Sequence, residues 1–235
     1  MLRLRTFGGL SLSRGAENLT GAVTQRRRLA ILALLAVARD GGLSRDKLQA
    51  CLWPESDAER ARHVLNQLLY AQRRQPGQEA LFVGKKTLRL NPEVITTDVA
   101  EFEEALTRGA LEEAVALYGG PFLDGFFLKD APEFERWVDG QRNRLARQAG
   151  ATLIALAKRA ALNEDDPGAL AWWRRAADLD PLDSTVALAL VQTLARLGDR
   201  SGALRHARRH AQELAAQLGV PPDPGWREII IQLEG

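Results

Sequence analysis

SDAERARHVLNQLLYAQRRQ, residues 56–75, has the spacing of an amphipathic helix that packs through one side and leaves a polar side free. Ser56 followed by Glu59 reads as a capping box, in which each side chain satisfies a backbone N–H of the first turn. Ala61, Leu65, Leu68 and position 72, a glutamine, fall on one arc at the helical period, and Glu59, His63, Asn66, Gln67, Tyr70 and Arg74 fall on the opposite one. The free arc carries amide, imidazole, phenol and guanidinium groups, the types that hydrogen-bond base edges and phosphates in a major groove wide enough to admit a helix. An ordinary solvated helix has the same pattern, so the neighbouring segments decide the reading.

Upstream, Ser44 is a good N-cap for a helix RDKLQACLW, with Leu48 and Leu52 on one face and Trp53 as a core plug, stopped by Pro54. Two helices joined by the short PES link give a helix-turn-helix, whose second member enters the groove. Ser44, Arg45 and Lys47 then stand at the start of the supporting helix, where backbone N–H groups hold a phosphate. Before Gly41-Gly42, QRRRLAILALLAVAR is a strongly apolar core helix with Arg26, Arg27 and Arg28 at its start. Positive charge there opposes the helix dipole, and a phosphate is a candidate to compensate. Downstream, residues 80–90, ALFVGKKTLRL, alternate on either side of Gly84-Lys85-Lys86 and predict a hairpin with a basic tip, the wing of a winged helix. The chain opens with a second alternating pattern, LRLRTFGGLSLSRG, which predicts a pair of short strands.

Charge separates the chain into two parts. Residues 1–90 hold 16 Lys and Arg against 7 Asp and Glu, and residues 91–235 hold 16 against 23. A basic first part beside an acidic remainder points to a polyanionic partner for the first part only, and to a boundary near Asn91-Pro92. The single cysteine, Cys51, excludes an internal disulfide and reads as a small, inert core residue. No secretory signal is present, and the apolar run of residues 29–38 is too short to span a bilayer, so a cytoplasmic location without membrane contact is expected.

The acidic part repeats itself. Ala169 and Ala203, Asp165 and Asp199, and Leu156 and Leu190 each lie 34 residues apart, the tetratricopeptide period, and residues 109–114 repeat the step of residues 198–203. Stacked αα-hairpins follow, with a third, degenerate one over residues 98–118. Trp137, Trp172 and Trp173 read as core at that spacing. His206 and His210 stand four apart but lack a third ligand and lie among Arg205, Arg208 and Arg209, so a basic face is expected and no metal. The run Glu164, Asp165, Asp166 reads as a solvated turn. No GxSxG, GxxxxGK[ST] or GxGxxG motif is present; no enzyme activity, cofactor or ATP switch is expected within this sequence.

Taken in order, QRRRLAILALLA, LSRDKLQACLWPES, ARHVLNQLLYAQRR and LRLNP resemble the OmpR/PhoB-type winged helix of SARP-like regulators. TDVAEFEEAL, ALYGGPFLDGF, EFERWVDGQRNRL and the residues from Trp172 to His210 resemble the bacterial transcriptional activator domain joined to it, and the resemblance covers nearly the whole chain. Gln72 departs from it, standing where the family has an apolar residue. The expected fold is mainly α with a small β component: a winged helix-turn-helix at residues 1–97, then tetratricopeptide-like stacked αα-hairpins at residues 98–235. The resemblance implies a sequence-specific transcription regulator, an activator, that binds double-stranded DNA as a head-to-tail homodimer on direct repeats and recruits RNA polymerase. His63, Asn66, Gln67 and Tyr70 are the residues expected at bases. Arg26, Arg27, Arg28, Ser44, Arg45, Lys47, Arg60, Arg73, Arg74, Lys85 and Lys86 are expected at phosphate or groove. The other reading is a helical-repeat scaffold whose winged helix binds protein instead of DNA; the concentration of positive charge around the helix-turn-helix and hairpin favours the first.

Overall fold

The computed structural model describes residues 1–20, 25–70, 80–219 and 224–234, and the chain separates into two compact units, Met1–Leu145 and Ala146–Gly235. In the first unit, β1 (Leu2–Arg5) and β2 (Ser11–Arg14) form the expected antiparallel pair, with Leu4 opposite Leu12. Leu2, Leu4 and Leu12 are buried while Arg3 and Arg5 face solvent, the alternation that fixes register in a half-buried sheet. β3 (Glu17–Asn18) adds to β2, and β1 also pairs in parallel with a strand far along the chain, β7 (Ile95–Thr97), giving the order β3-β2-β1-β7.

α1 (Arg26–Ala38) is buried on every side from Arg28 to Ala36, as its near-continuous apolar sequence requires. The chain leaves it through a 3-10 turn, Arg39–Gly41, and through Gly42 at φ 58°, where a Cβ would meet the Leu88 carbonyl oxygen at 2.4 Å. Only glycine fits that approach. β4 (Leu43–Ser44) then pairs with the wing, β5 (Phe82–Val83) and β6 (Thr87–Leu90), in the order β4-β6-β5.

α2 (Arg45–Leu52) begins as expected: Ser44 Oγ accepts the Lys47 N–H at 3.2 Å. Leu48 and Leu52 are fully buried and Trp53 nearly so. α3 (Ala58–Tyr70) corrects two details of the sequence reading. Its cap is Asp57, whose Oδ1 accepts the Arg60 N–H at 2.8 Å, and not Ser56; the turn after Pro54 carries the chain one residue further before it winds. Its buried arc is Ala61, Leu65 and Leu69, with Leu68 only half-buried. Cys51 is likewise half-buried and not a core residue; burial, with Glu133 nearby, pushes its thiol up to about 11, so it is protonated at neutral pH.

Packing continues past the change of charge near Asn91-Pro92. Asp98, the first residue of α4 (Asp98–Thr107), is buried and turned into the first sheet, and Phe102 of the same helix meets Phe7 edge to face at 5.4 Å. α5 (Leu111–Leu117) packs on α4 as the degenerate hairpin. The compact unit continues to Leu145 within α6 (Pro132–Leu162).

The second unit holds the repeat. α7 (Asp166–Leu179) and α9 (Arg200–Leu218) start identically: Asp165 Oδ1 accepts the Gly168 N–H at 2.9 Å and Asp199 Oδ1 accepts that of Gly202 at 2.8 Å. A Cβ at either glycine would fall about 2 Å from the capping carboxylate, so Asp-x-x-Gly is a single steric unit. Ala169 and Ala203 are fully buried, as is Ala114 at the matching place of α5. α8 (Ser184–Arg196) packs between α7 and α9, and α10 (Pro224–Glu234) packs on α9. Trp173 is core, while Trp172 and Trp137 are half-buried. Among the described residues no helix is long and apolar enough to cross a membrane.

Candidate nucleic-acid interface

Arg45, the first residue of α2, is the joint of the helix-turn-helix and the wing. Its backbone N–H donates to the Lys86 carbonyl at 3.2 Å, its Nε to the Lys85 carbonyl at 2.7 Å, and its Nη1 to Asn66 Oδ1 at 2.8 Å. Residues from α2, α3 and the hairpin tip are thereby brought together. The tip is fixed independently by Gly84, at φ 96°, where a Cβ would lie 1.9 Å from the Thr87 carbonyl oxygen.

A guanidinium only donates, so its bond to Asn66 settles which way that amide points. Oδ1 is occupied and the two Nδ2 hydrogens remain for another partner. At the next residue, Gln67 Nε2 lies 2.9 Å from Nε2 of His63, one turn back. With the amide nitrogen as donor the imidazole Nε2 accepts, His63 carries its proton on Nδ1, and Gln67 Oε1 is left as an acceptor. The outward face of α3 thus offers donors from Asn66 and His63 and an acceptor from Gln67, the mixture that a major-groove base edge requires. Lys47, Arg60, Lys85 and Lys86 are exposed and have no ion-pair partner among the described residues.

The arginine run divides. Arg28 is 4% exposed, and burial lowers the basicity of its guanidinium; it is not available to a phosphate. The three arginines sit about 100° apart around the helix, so one of them had to face inward. Arg26 is exposed but engaged, donating to the Phe127 carbonyl at 2.9 Å with its guanidinium 5.2 Å from the Phe126 ring centre. Arg27 lies 5.7 Å over the Trp53 ring, at the end of α2, with its Nε buried and lacking a hydrogen-bond acceptor among the described residues. Of the three it keeps most capacity for an anion.

Arg73 and Arg74, with Gln72, lie outside the described residues, and so does the side chain of Tyr70. Two exposed cations were not singled out from the sequence: Arg62, on the flank of α3 beside His63, and Arg89, on the solvent side of β6. The alternation of β6 could have revealed Arg89, since it stands two residues from the outward Thr87. Among the described residues no three His, Cys, Asp or Glu side chains group as a metal site.

A family profile described as the bacterial transcriptional activator domain matches residues 96–233. Among solved structures, the chain is similar to Mycobacterium tuberculosis EmbR in complex with a low affinity phosphopeptide. The two share 21% identity with a TM-score of 0.68, over 99% of this chain and 65% of that one. That likeness is one of fold, a winged helix-turn-helix followed by tetratricopeptide-like hairpins. The chain spans less than two thirds of the length of EmbR. Comparison with curated protein sequences finds no match.

Proposed function

The chain belongs to the bacterial transcriptional activator domain family, and on that premise we propose that it is a sequence-specific DNA-binding regulator that activates transcription through its winged helix. The observation that carries this reading is the convergence at Arg45: one side chain orders a recognition helix and a basic wing into a single polar surface whose lysines have no acidic partner among the described residues. A hydrophobic peptide groove needs neither property. In this reading Asn66, Gln67 and His63 face base edges, Tyr70 is a fourth candidate for base contact, and Lys47, Arg60, Lys85, Lys86 and Arg27 face phosphates. Arg73 and Arg74 follow at the end of the recognition segment. Ser44 acts through the α2 N-terminus it caps. The helical repeats supply the contact between two protomers on a direct repeat and a surface for RNA polymerase.

Selection of bound sequences from random double-stranded DNA, at low and near-physiological salt, tests the reading. An enriched motif, above all a direct repeat, is expected. Weak, salt-sensitive binding without enrichment would favour the scaffold reading instead. Within the motif, Asn66→Ala and Gln67→Ala are each expected to cost about 1–3 kcal/mol at one base position and to relax preference there. Lys85→Ala is expected to weaken all sequences alike and to lower the salt slope by about one. Equal losses on specific and random DNA for Asn66→Ala would remove that residue from the base-reading set.

A further inference from the structure

Within the second unit, α7, α8 and α9 surround a cleft of about 400 Å³ that no function assigned above uses. Its floor is apolar, formed by Leu190 and Leu194 of α8. Its walls are charged: Arg174 and Asp178 come from α7, and Arg205, Arg209 and Glu213 from α9. Between them lies His206, whose Nε2 is buried without a hydrogen-bond partner among the described residues. Buried polar atoms in native structures are nearly always satisfied, and an exception calls for a partner.

The second histidine of the pair shows the contrast. His210 Nδ1 donates to the Pro181 carbonyl at 2.9 Å, Nε2 meets Ser184 Oγ at 3.0 Å, and the ring lies 4.8 Å from that of Trp226. Its polar atoms are used by the fold, and Nε2 of His206 is not, among the described residues. The charges divide in the same way. Arg209 is paired with Glu213 at 2.8 Å, and the nearby Asp199 is committed to the start of α9. Arg174 and Arg205 have no hydrogen-bond or ion-pair partner among the described residues. Two guanidinium groups and one imidazole edge therefore remain against a single uncommitted carboxylate, Asp178.

We propose that this cleft binds a small organic anion, a carboxylate or phosphate monoester on an apolar body, with its oxygens on Arg174, Arg205 and His206 Nε2 and its body on Leu190 and Leu194. A guanidinium fork matches either oxyanion. The apolar floor rewards an attached ring or chain over a bare ion.

The protonation of His206 gives the site a signature. Burial, then His210 and Arg209, hold its imidazole below the usual range, with Glu213 and Asp178 opposing. The empty cleft therefore holds a neutral ring at pH 7. A bound anion favours the imidazolium, so binding takes up a proton, and affinity strengthens as pH falls below neutrality until the empty site is itself protonated. The empty protein also loses stability as pH falls through this window, because the unfolded chain accepts the proton more readily. Ligand should offset that loss.

The test uses the whole chain, without DNA, titrated with benzoate, acetate, phenyl phosphate and inorganic phosphate. Calorimetry in two buffers of different ionisation heat, on the acid side of neutrality, reads proton uptake, and the imidazole resonances of His206 report the site. Benzoate or phenyl phosphate is expected to bind at least roughly tenfold tighter than its bare counterpart, and the better of the two identifies the oxyanion. Arg174→Gln with Arg205→Gln, both on exposed side chains, should weaken binding by roughly tenfold or more. His206→Gln, which keeps a donor but cannot become a cation, should retain weak binding and lose its pH dependence. The proposal is overturned by the absence of heat and of any His206 shift with all four probes. It is equally overturned by binding that favours bare phosphate and ignores these substitutions. Both readouts are taken on the free protein and stand apart from any outcome with DNA.

Discussion

Replacing Asp98 with alanine is expected to destabilise the first unit by about 3–5 kcal/mol, the range for removing one partner from a buried charged network. Asp98 is 5% exposed, and its carboxylate accepts the Thr6 N–H at 2.8 and 2.9 Å through its two oxygens. It also accepts the Thr6 hydroxyl at 2.6 Å, the Phe7 N–H at 3.0 Å and the Val99 N–H at 2.9 Å. Thr6 and Phe7 are themselves fully buried, so in Asp98→Ala their donors lose the carboxylate with no water to replace it. The damage spreads because the same two residues anchor the next segment: the Thr6 carbonyl accepts the Leu123 N–H at 2.7 Å, and Phe7 packs on Tyr118 at 4.9 Å. The carboxylate also sits in the first turn of α4, where negative charge is favoured by the helix dipole.

Urea unfolding checks the expectation: the midpoint should fall while the slope stays unchanged. Glu101→Ala is the control on the same helix, since its ion pair with Arg3 is largely solvated, and should cost about 0–1 kcal/mol. A fragment ending at residue 97 lacks both the carboxylate and Phe102, and is expected not to unfold cooperatively. A fragment as stable as the longer unit, with Asp98→Ala nearly neutral, would mean that solvent or rearranged acceptors satisfy the β1 end without α4.

These bonds join segments that no local sequence pattern connects. Features carried by local spacing were legible: Ser44 caps α2, Gly84-Lys85-Lys86 turns the wing, and the residues 34 apart in Asp165 and Asp199 perform the same capping bond. The repeat could be read because its capping residues, Asp165 and Asp199, each bond a backbone N–H three positions on. Features that join distant segments were not legible. Ile95–Thr97 is too short to announce a strand, and only its parallel pairing with β1, more than 90 residues away, makes it one. Asp98 looked like any acidic residue at a helix start. At α3, Ser56 and Asp57 are both good caps on paper, and the turn after Pro54 chose the second. Charge alone groups Arg28 with its two neighbours, and the helical rotation between successive residues separates them. Arg45 was expected at the DNA backbone for its position at the start of α2; its bonds to residues 21 and 40 positions away place it inside the surface it helps form.

That placement gives Arg45 an expected effect unlike that of a phosphate contact. Arg45→Ala keeps the backbone bond to Lys86 and the Ser44 cap, so α2 should still form. What it loses are the side-chain bonds that hold the tip through the Lys85 carbonyl and fix the amide of Asn66. Freed, Asn66 samples both amide orientations and several rotamers, and the wing no longer moves as one piece with α3. Specific binding should fall by about 2–4 kcal/mol, the sum of a lost base reading and a lost positioning bond, or roughly thirtyfold to a thousandfold. The substitution Arg45→Lys separates this from simple charge loss. An ammonium keeps the positive charge but cannot donate in the two fixed directions of the guanidinium. Arg45→Lys should therefore keep the affinity for random DNA, and its salt slope, while losing most of the preference at the base read by Asn66. Binding to an ordered site and a random duplex, each across a salt series, distinguishes the cases. A positioning residue gives Arg45→Lys a specificity defect with an intact salt slope, and adds little to Asn66→Ala in the double variant because both act on one contact. A phosphate contact gives the reverse: Arg45→Lys close to the parent, Arg45→Ala weakened on every sequence, and losses that add to those of Asn66→Ala.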